Sequence, residues 1–491
     1  MAAGRGAAVR AALLAGAAVA VALGSATAVA AGEGGGEGRR RKLANPSVHA
    51  FYYLWYGHPG VDGGWRHWNH SVLPHWRPEV SAAYPTAAFL PPHDIHAPFY
   101  PARGLYSSAN GSLVAEHFRD MRSHGIGVAV VSWWGRPGVS GGDSQGVNTD
   151  HALDVVFAAA RTTGLAVALH LEPYAGRNAA SVAEDVAYVA RRYRDEVGWY
   201  RLPVRRQARP GAQSQEPRPV YFVYDSYHTP AAEWAAVLEV GGRNTVRGTD
   251  LDGVFVGLWL NAGDGDNLLA AGFDGGYTYF AGEGASYGAT AANWPAMVAW
   301  GRRNGAFFAP SVGPGYDDTK IRPWNGAARR DREGGADYAR RGSAALDAKA
   351  VYVGVSTYNE WGEGTQVEAA VPRWIDVARL APAGAALPRA TRTALHLSDA
   401  YSNYLPDAPD TYMMATLAYS ARLATAVGYT EVASDLYKLE AAHDRRREAA
   451  ARAGVPAIGS LPDWVPPPPP PPAARDDEEQ VVAVDVSGEV M

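Results

Sequence analysis

The stretch VYVGVSTYNEWGEGTQVE, residues 351–368, is where the chain first declares its architecture. Its opening eight residues crowd valine, tyrosine and threonine together, the composition of a buried strand. The run ends on Asn359 and Glu360, and Glu363 follows three positions later between Gly362 and Gly364. Glycines on both sides let a tight loop aim two carboxylates at one place. An isolated ExxE is usually a solvated acidic turn. Here the pair follows directly on a buried strand and is bracketed by Trp361 and Thr365, which favours a functional pair.

Working outward, seven more β-branched or aromatic runs precede it: 49–56, 127–134, 165–172, 219–225, 253–259, 275–279 and 306–311. Segments 113–124, 150–163, 180–194, 231–240, 294–304 and 338–348 between them have helical period. The link 261–273 is expected to be short and irregular. Strand–helix alternation repeated eight times predicts an α/β fold, a (β/α)8 TIM barrel. No glycine-rich phosphate turn follows the first run, which argues against a doubly wound sheet. The expected strand ends read Tyr56, Trp133-Trp134, Glu172, Asp225, Trp259, Tyr279, Ser311 and Asn359-Glu360. Carboxylates and large aromatics around one barrel mouth suit sugar cleavage, which needs a proton donor, a base and flat faces for ring surfaces.

Composition agrees. The chain has 491 residues, 47% of them hydrophobic, with 15 Trp and 26 Tyr. A net charge of −5 offers no strong positive field for nucleic acid. Cysteine is absent, which excludes disulfides, thiolate nucleophiles and Cys-based metal sites. Residues 11–31 carry no charge and follow Arg5 and Arg10. They read equally as a cleaved signal peptide and as a signal anchor, and either route enters the secretory pathway. The expected organisation is a signal segment and flexible stem over 1–43, a catalytic domain over 44–454, and a disordered proline-rich, acidic tail over 455–491. Within the domain, 429–453 reads as a helix with Arg445, Arg446 and Arg447 on a solvated face.

Several long strings give a more specific reading: FYYLWYG (51–57), HWNH (67–70), FYPARGLYSS (99–108), HLEPYAGRN (170–178), VYDSYH (223–228), PSVGPGYDDTKIRPWN (310–325) and YNEWGEGTQVE (358–368). Together, over residues 49–412, they resemble glycoside hydrolase family 99, the endo-α-1,2-mannosidases and endo-α-1,2-mannanases. The resemblance implies a metal-free barrel, no cofactor, and cleavage of an internal α-1,2-mannosyl bond with retention of configuration. Glu360 and Glu363 match the family's catalytic carboxylates. In the family's mechanism the residue matching Glu360 acts as base on the sugar's own 2-hydroxyl, giving a 1,2-anhydro sugar. The one matching Glu363 protonates the leaving oxygen and then deprotonates water. A conventional retaining scheme with a carboxylate nucleophile is the alternative.

The same resemblance places Tyr53, Tyr56 and Tyr279 around the cleaved sugar, and Arg322, Trp324 and Asn325 in a substrate-holding loop. Glu172 and Asp225 are expected to support sugar hydroxyls or arginines. Trp134 resembles the bacterial mannan-cleaving members, where animal Golgi members carry tyrosine against the sugar preceding the scissile one. His67, His70, His93 and Asp94 form a His-rich set, but without metal-ligand spacing they read as hydrogen-bonding or core residues. Asn69 and Asn110 lie in glycosylation sequons; Asn69 is expected buried, which leaves Asn110 as the acceptor. The expected protein is a monomer that trims glucosylated high-mannose N-glycans in the Golgi lumen as a single-pass type II membrane protein. Its partner is a mannose-containing glycan, and membrane contact comes only through an uncleaved N-terminal segment. A secreted mannanase acting on mannan polysaccharide is the alternative. A catalytically dead, mannose-binding barrel predicts loss of Glu360 or Glu363, and both are present.

Overall fold

Parallel pairing runs from strand to strand until the sheet meets itself. The computed structural model describes residues 44–84, 88–203, 217–280, 282–375, 401–404 and 409–452; the stem over 1–43 and the tail over 455–491 lie outside the described residues. The strands are β1 (Asn45–Tyr52), β2 (Ile126–Trp133), β3 (Ala166–Leu171), β4 (Pro217–Val223), β5 (Val254–Leu258), β6 (Gly275–Tyr277), β7 (Phe307–Ala309 and Ser311–Val312) and β8 (Val353–Val355). Pro310 splits β7 because it has no N–H for the ladder, yet its carbonyl still accepts from Gly354 N at 2.8 Å. The first piece of β7 pairs with β6 and the second with β8, while β8 pairs with β1. That closes an eight-stranded parallel barrel.

Its strands are largely apolar and largely buried, with a few polar side chains such as His49, Ser132 and His170 buried among them. Val128, Val130, Val131 and Leu169 have no exposed surface, as expected of strands covered by helices outside and filled by side chains within. The helices are α1 (Gly111–Ser123), α2 (Leu153–Thr163), α3 (Ala179–Tyr193), α4 (Ala231–Leu238), α5 (Asp264–Ala270), α6 (Trp294–Arg303), α7 (Ala336–Asp347), α8 (Thr411–Ala426) and α9 (Thr430–Arg452). Capping explains several starts. Asn110 Oδ1 accepts from Ser112 N and Leu113 N ahead of α1, and Asn178 forms a reciprocal capping box with Ser181 ahead of α3.

Two elements differ from the sequence reading. The link 261–273 contains the seven-residue α5, too short to show a period. The second is α8, which has no apolar stripe because it is buried almost all round. On one side Tyr338 of α7 reaches Thr416 (2.8 Å) and Ser420 donates to Gly125 O (2.7 Å). On the other, Met414, Leu417, Ala421 and Ala424 pack against Ala433 and Leu436 of α9. Arg445 and Arg446 on α9 are exposed. Asn69 is half-buried rather than buried, and Asn110 is exposed, its cap using Oδ1 and not Nδ2. No helix among the described residues is long and apolar enough to cross a membrane.

Candidate active site

The loop after β8 is fixed before any side chain does chemistry. Asn359 bonds both ways with the backbone of β1's extension, accepting from Tyr53 N at 2.7 Å and donating to Tyr53 O at 3.0 Å. Tyr56 donates to Asn359 O (2.9 Å) and accepts from Trp361 N (3.1 Å). From the β7 side, Asp317 N donates to Glu363 O at 2.8 Å, and Arg332 donates to Gly364 O and Gln366 O at 2.8 Å each. The Arg332 guanidinium sits 4.4 Å from the Phe99 ring centre and 4.5 Å from that of Tyr412, a cation–π cage that fixes its direction. Both glycines are required. A Cβ on Gly362 would stand 2.9 Å from His96 and 3.0 Å from Glu360 Oε1, and Gly364 has φ +60° with Asp317 O at 3.0 Å from such an atom.

That frame presents Glu360 and Glu363 to a cavity of about 290 Å3. Tyr53, Trp134, Glu172, Tyr279 and Arg322 line it too. Tyr53 and Tyr279 join their hydroxyls at 2.6 Å, and Glu172 is held by His170 Nδ1 at 2.7 Å. Four residues singled out in the sequence lie outside the lining. Tyr56 braces the loop from below, stacked on Trp68 at 4.2 Å. Asn325 donates to Asp318 at 2.9 Å, and Asp318 also accepts from Arg322 at 3.0 Å, so Asn325 stands behind the arginine. Trp324 donates to Leu73 O at 3.2 Å. Asp225 offers its backbone carbonyl, not its carboxylate, to Arg177 at 2.9 Å.

Sequence reasoning missed Trp55, Leu73, Asp143, Ser144, Pro173, Tyr224 and Ile321 in the lining. It also gave His67, His70 and His96 no place in a cavity wall. His67 stacks on Trp55 at 4.3 Å and pairs with Asp143 at 2.6 Å. Burial lowers His70 to about 4 and His96 well below its ordinary value, so both stay neutral near pH 7. His93 is apart from the lining, and Asp94 pairs with Lys320 at 2.8 Å. Trp55, His67, His70, Pro173, Tyr224 and Ile321 lie in the quoted strings, which do not show which side chains face the cavity; Leu73, His96, Asp143 and Ser144 lie outside them.

Electrostatics at the two carboxylates is dominated by burial. Glu360 is raised well above the ordinary carboxyl range, first by burial and then by the charge of Glu363; amides of Glu363 and Gly362 and the Arg322 guanidinium pull the other way. Its Oε1 accepts from Gly362 N (2.9 Å) and Glu363 N (3.3 Å), while its Oε2 has no hydrogen-bond partner among the described residues. Glu363 is raised by burial too, against the opposing Arg322 guanidinium, 3.5 Å away. Two neighbouring carboxyls with raised proton affinity share protons as a unit, able to hold one proton above the ordinary carboxyl range. That is the ionisation a paired acid and base require.

The comparisons bear on the same loop and barrel. The family model described as glycosyl hydrolase family 99 matches residues 43–381. The chain belongs to glycosyl hydrolase family 99. It is a glycoside hydrolase on a TIM barrel. The rat protein named glycoprotein endo-alpha-1,2-mannosidase is 38% identical over 378 residues, 77% of this chain and 75% of that one. A zebrafish glycoprotein endo-alpha-1,2-mannosidase-like protein is 37% identical, covering 75% and 76%. The GH99 endo-alpha-mannosidase structure from Bacteroides thetaiotaomicron superposes with a TM-score of 0.65 at 33% identity, covering 78% of this chain and 99% of its own.

Two expectations arise from the site of this family 99 hydrolase. Between about pH 4, where an ordinary carboxyl titrates, and its own higher pKa, native Glu360 keeps a proton that the unfolded chain has released. The native state binds more protons there, so stability falls as pH rises through that window. Glu360→Gln removes this loss. The variant's melting temperature should gain on the native protein's as pH rises from about 4; a pH-independent difference would contradict the assignment. Among the described residues, no group of three or more His, Asp or Glu could hold a metal ion. A reaction run by two carboxyls needs no Lewis acid, so activity is expected to survive dialysis against a strong chelator; a loss restored by one divalent ion would overturn this.

Proposed function

We propose that the protein is a retaining endo-α-1,2-mannosidase that hydrolyses an internal α-1,2-mannosyl bond of high-mannose N-glycans, including glucosylated ones. The observation that carries the reading is Glu360: one oxygen is tied by two amides and the other has no partner among the described residues, beside Glu363 and within one cavity. A carboxylate so held can accept a hydrogen bond from a substrate hydroxyl. In the first step Glu360 takes the proton of the scissile mannose's 2-hydroxyl and O2 bonds to C1. The bond from C1 to the leaving oxygen breaks as Glu363 protonates that oxygen. In the second step Glu363 takes a proton from water, the hydroxide bonds to C1, and O2 departs with the proton held by Glu360. Two inversions give net retention. Raised proton affinity makes Glu360 the stronger base once ionised and favours the protonated form of Glu363 over that of an ordinary carboxyl.

The same reading assigns the catalytic domain to 44–454 and uses the uncharged stretch 11–31 to bring the protein into the secretory pathway, as a Golgi type II membrane protein. Trp134, which lines the cavity and resembles the residue of the bacterial mannan-cleaving members, favours a second substrate, a mannan polysaccharide met by a secreted enzyme. Incubation with glucosylated high-mannose glycan, plain high-mannose glycan and α-mannan, followed by identification of the released sugars, separates the two. Release of a glucose-mannose disaccharide supports the proposal, and cleavage of mannan alone supports the alternative. Release of single mannose residues from chain ends would defeat both.

A further inference from the structure

Beyond the cavity rim stands a tryptophan that packing does not explain. Trp76 is 77% exposed. Its ring stacks on His75 with centres 3.7 Å apart and meets Trp324 edge-on at 5.3 Å; His75 and Trp324 are themselves 4.7 Å apart at 88°. The three rings therefore hold one another in a fixed relation. They are also tied to the cavity wall: Trp324 Nε1 donates to Leu73 O at 3.2 Å, and Leu73 N donates to Ile321 O at 2.8 Å. Leu73, Ile321 and the adjoining Arg322 line the cavity, and Arg322 reaches Glu363 at 3.5 Å. The rings thus continue the wall that bears the proton donor to the leaving group.

We propose that Trp76, supported by His75 and Trp324, is a stacking platform for sugar residues on the leaving-group side of the scissile bond. It rests on the reading of the substrate as an extended mannose-containing glycan and names a binding surface for that substrate's outer part. An indole face presents π density to the C–H-rich face of a pyranose and is paid little entropy because its neighbours already orient it. The platform contributes to affinity for long glycans and nothing to the bond-breaking step.

The test uses Trp76→Ala and Trp76→Phe in the full-length protein with two substrates. One is a high-mannose glycan with several sugars on the leaving side. The other is an activated aryl glycoside with the same non-reducing disaccharide and no sugar on that side. Trp76→Ala should raise KM for the glycan about three- to tenfold with kcat little changed, leave kcat/KM for the aryl glycoside unchanged, and be largely rescued by Trp76→Phe. An unaltered KM for the glycan, or equal losses on both substrates, would overturn the platform while leaving the proposed activity standing. A native protein that cleaves the aryl glycoside and not the glycan would remove the underlying substrate reading, and the platform with it.

Discussion

Glu363→Gln is expected to lower kcat on an intact α-1,2-mannosyl glycan by about a hundred- to ten-thousand-fold, the usual worth of general acid–base assistance. The amide keeps the shape of the side chain and can still meet Arg322, which now lies 3.5 Å from the carboxylate. The loop itself is held by Asp317 N on the Glu363 carbonyl and by Arg332 on Gly364, and neither bond involves the altered group. Glycan affinity should therefore change little. An activated aryl leaving group needs no proton, so formation of the anhydro sugar from it should be partly spared. In the proposed mechanism Glu363 is also the base of the second step, which limits how complete the sparing can be. Equal losses in the first step on natural and activated substrates would count against a proton donor at this position.

Glu360→Gln should cost at least as much, and on both leaving groups alike. The amide can still accept from Gly362 N and Glu363 N through its oxygen. What disappears is the ability of the second, unpartnered atom to take a proton. Without that base the 2-hydroxyl is a poor nucleophile, whatever leaves from C1. A kcat loss of about a thousandfold or more is expected on glycan and aryl glycoside, measured by single-turnover kinetics. A variant that loses activity only on the poor leaving group would exchange the two roles.

The barrel is legible in the sequence because each parallel strand is buried on both faces, and such strands are written as unbroken apolar runs. Residues 127–131, GVAVV, are the clearest case. Helix α8 is illegible for the complementary reason: with barrel and α7 on one side and α9 on the other, it has no polar face to set a period. The loop after β8 can be read because two glycines bracket Glu363 three positions after Glu360, and their crowding against His96 and Asp317 explains why no other residue fits. Side-chain direction is what the sequence withholds. Tyr53 and Tyr56 stand three apart in one string, yet Tyr53 enters the cavity wall and Tyr56 turns beneath it to hold Trp361. Asn325 and Arg322 are likewise three apart, and only the arginine reaches the cavity, with Asp318 between them as a shared acceptor. Arg332 gave no signal at all, since its partners Phe99, Tyr404 and Tyr412 are remote in the chain.

The central claim is that Glu360 works on carbon only through the sugar's own 2-hydroxyl, and one four-cornered comparison tests it most directly. Native protein and Glu360→Gln are each assayed on a normal substrate and on its 2-deoxy counterpart. Both lesions delete the same partnership, so their effects should not add. The 2-deoxy substrate should be nearly dead with the native protein and little worse with the variant. In the conventional scheme Glu360 attacks C1 itself and the 2-hydroxyl only assists. Steady turnover of the 2-deoxy substrate by the native protein, abolished by Glu360→Gln, would contradict the account.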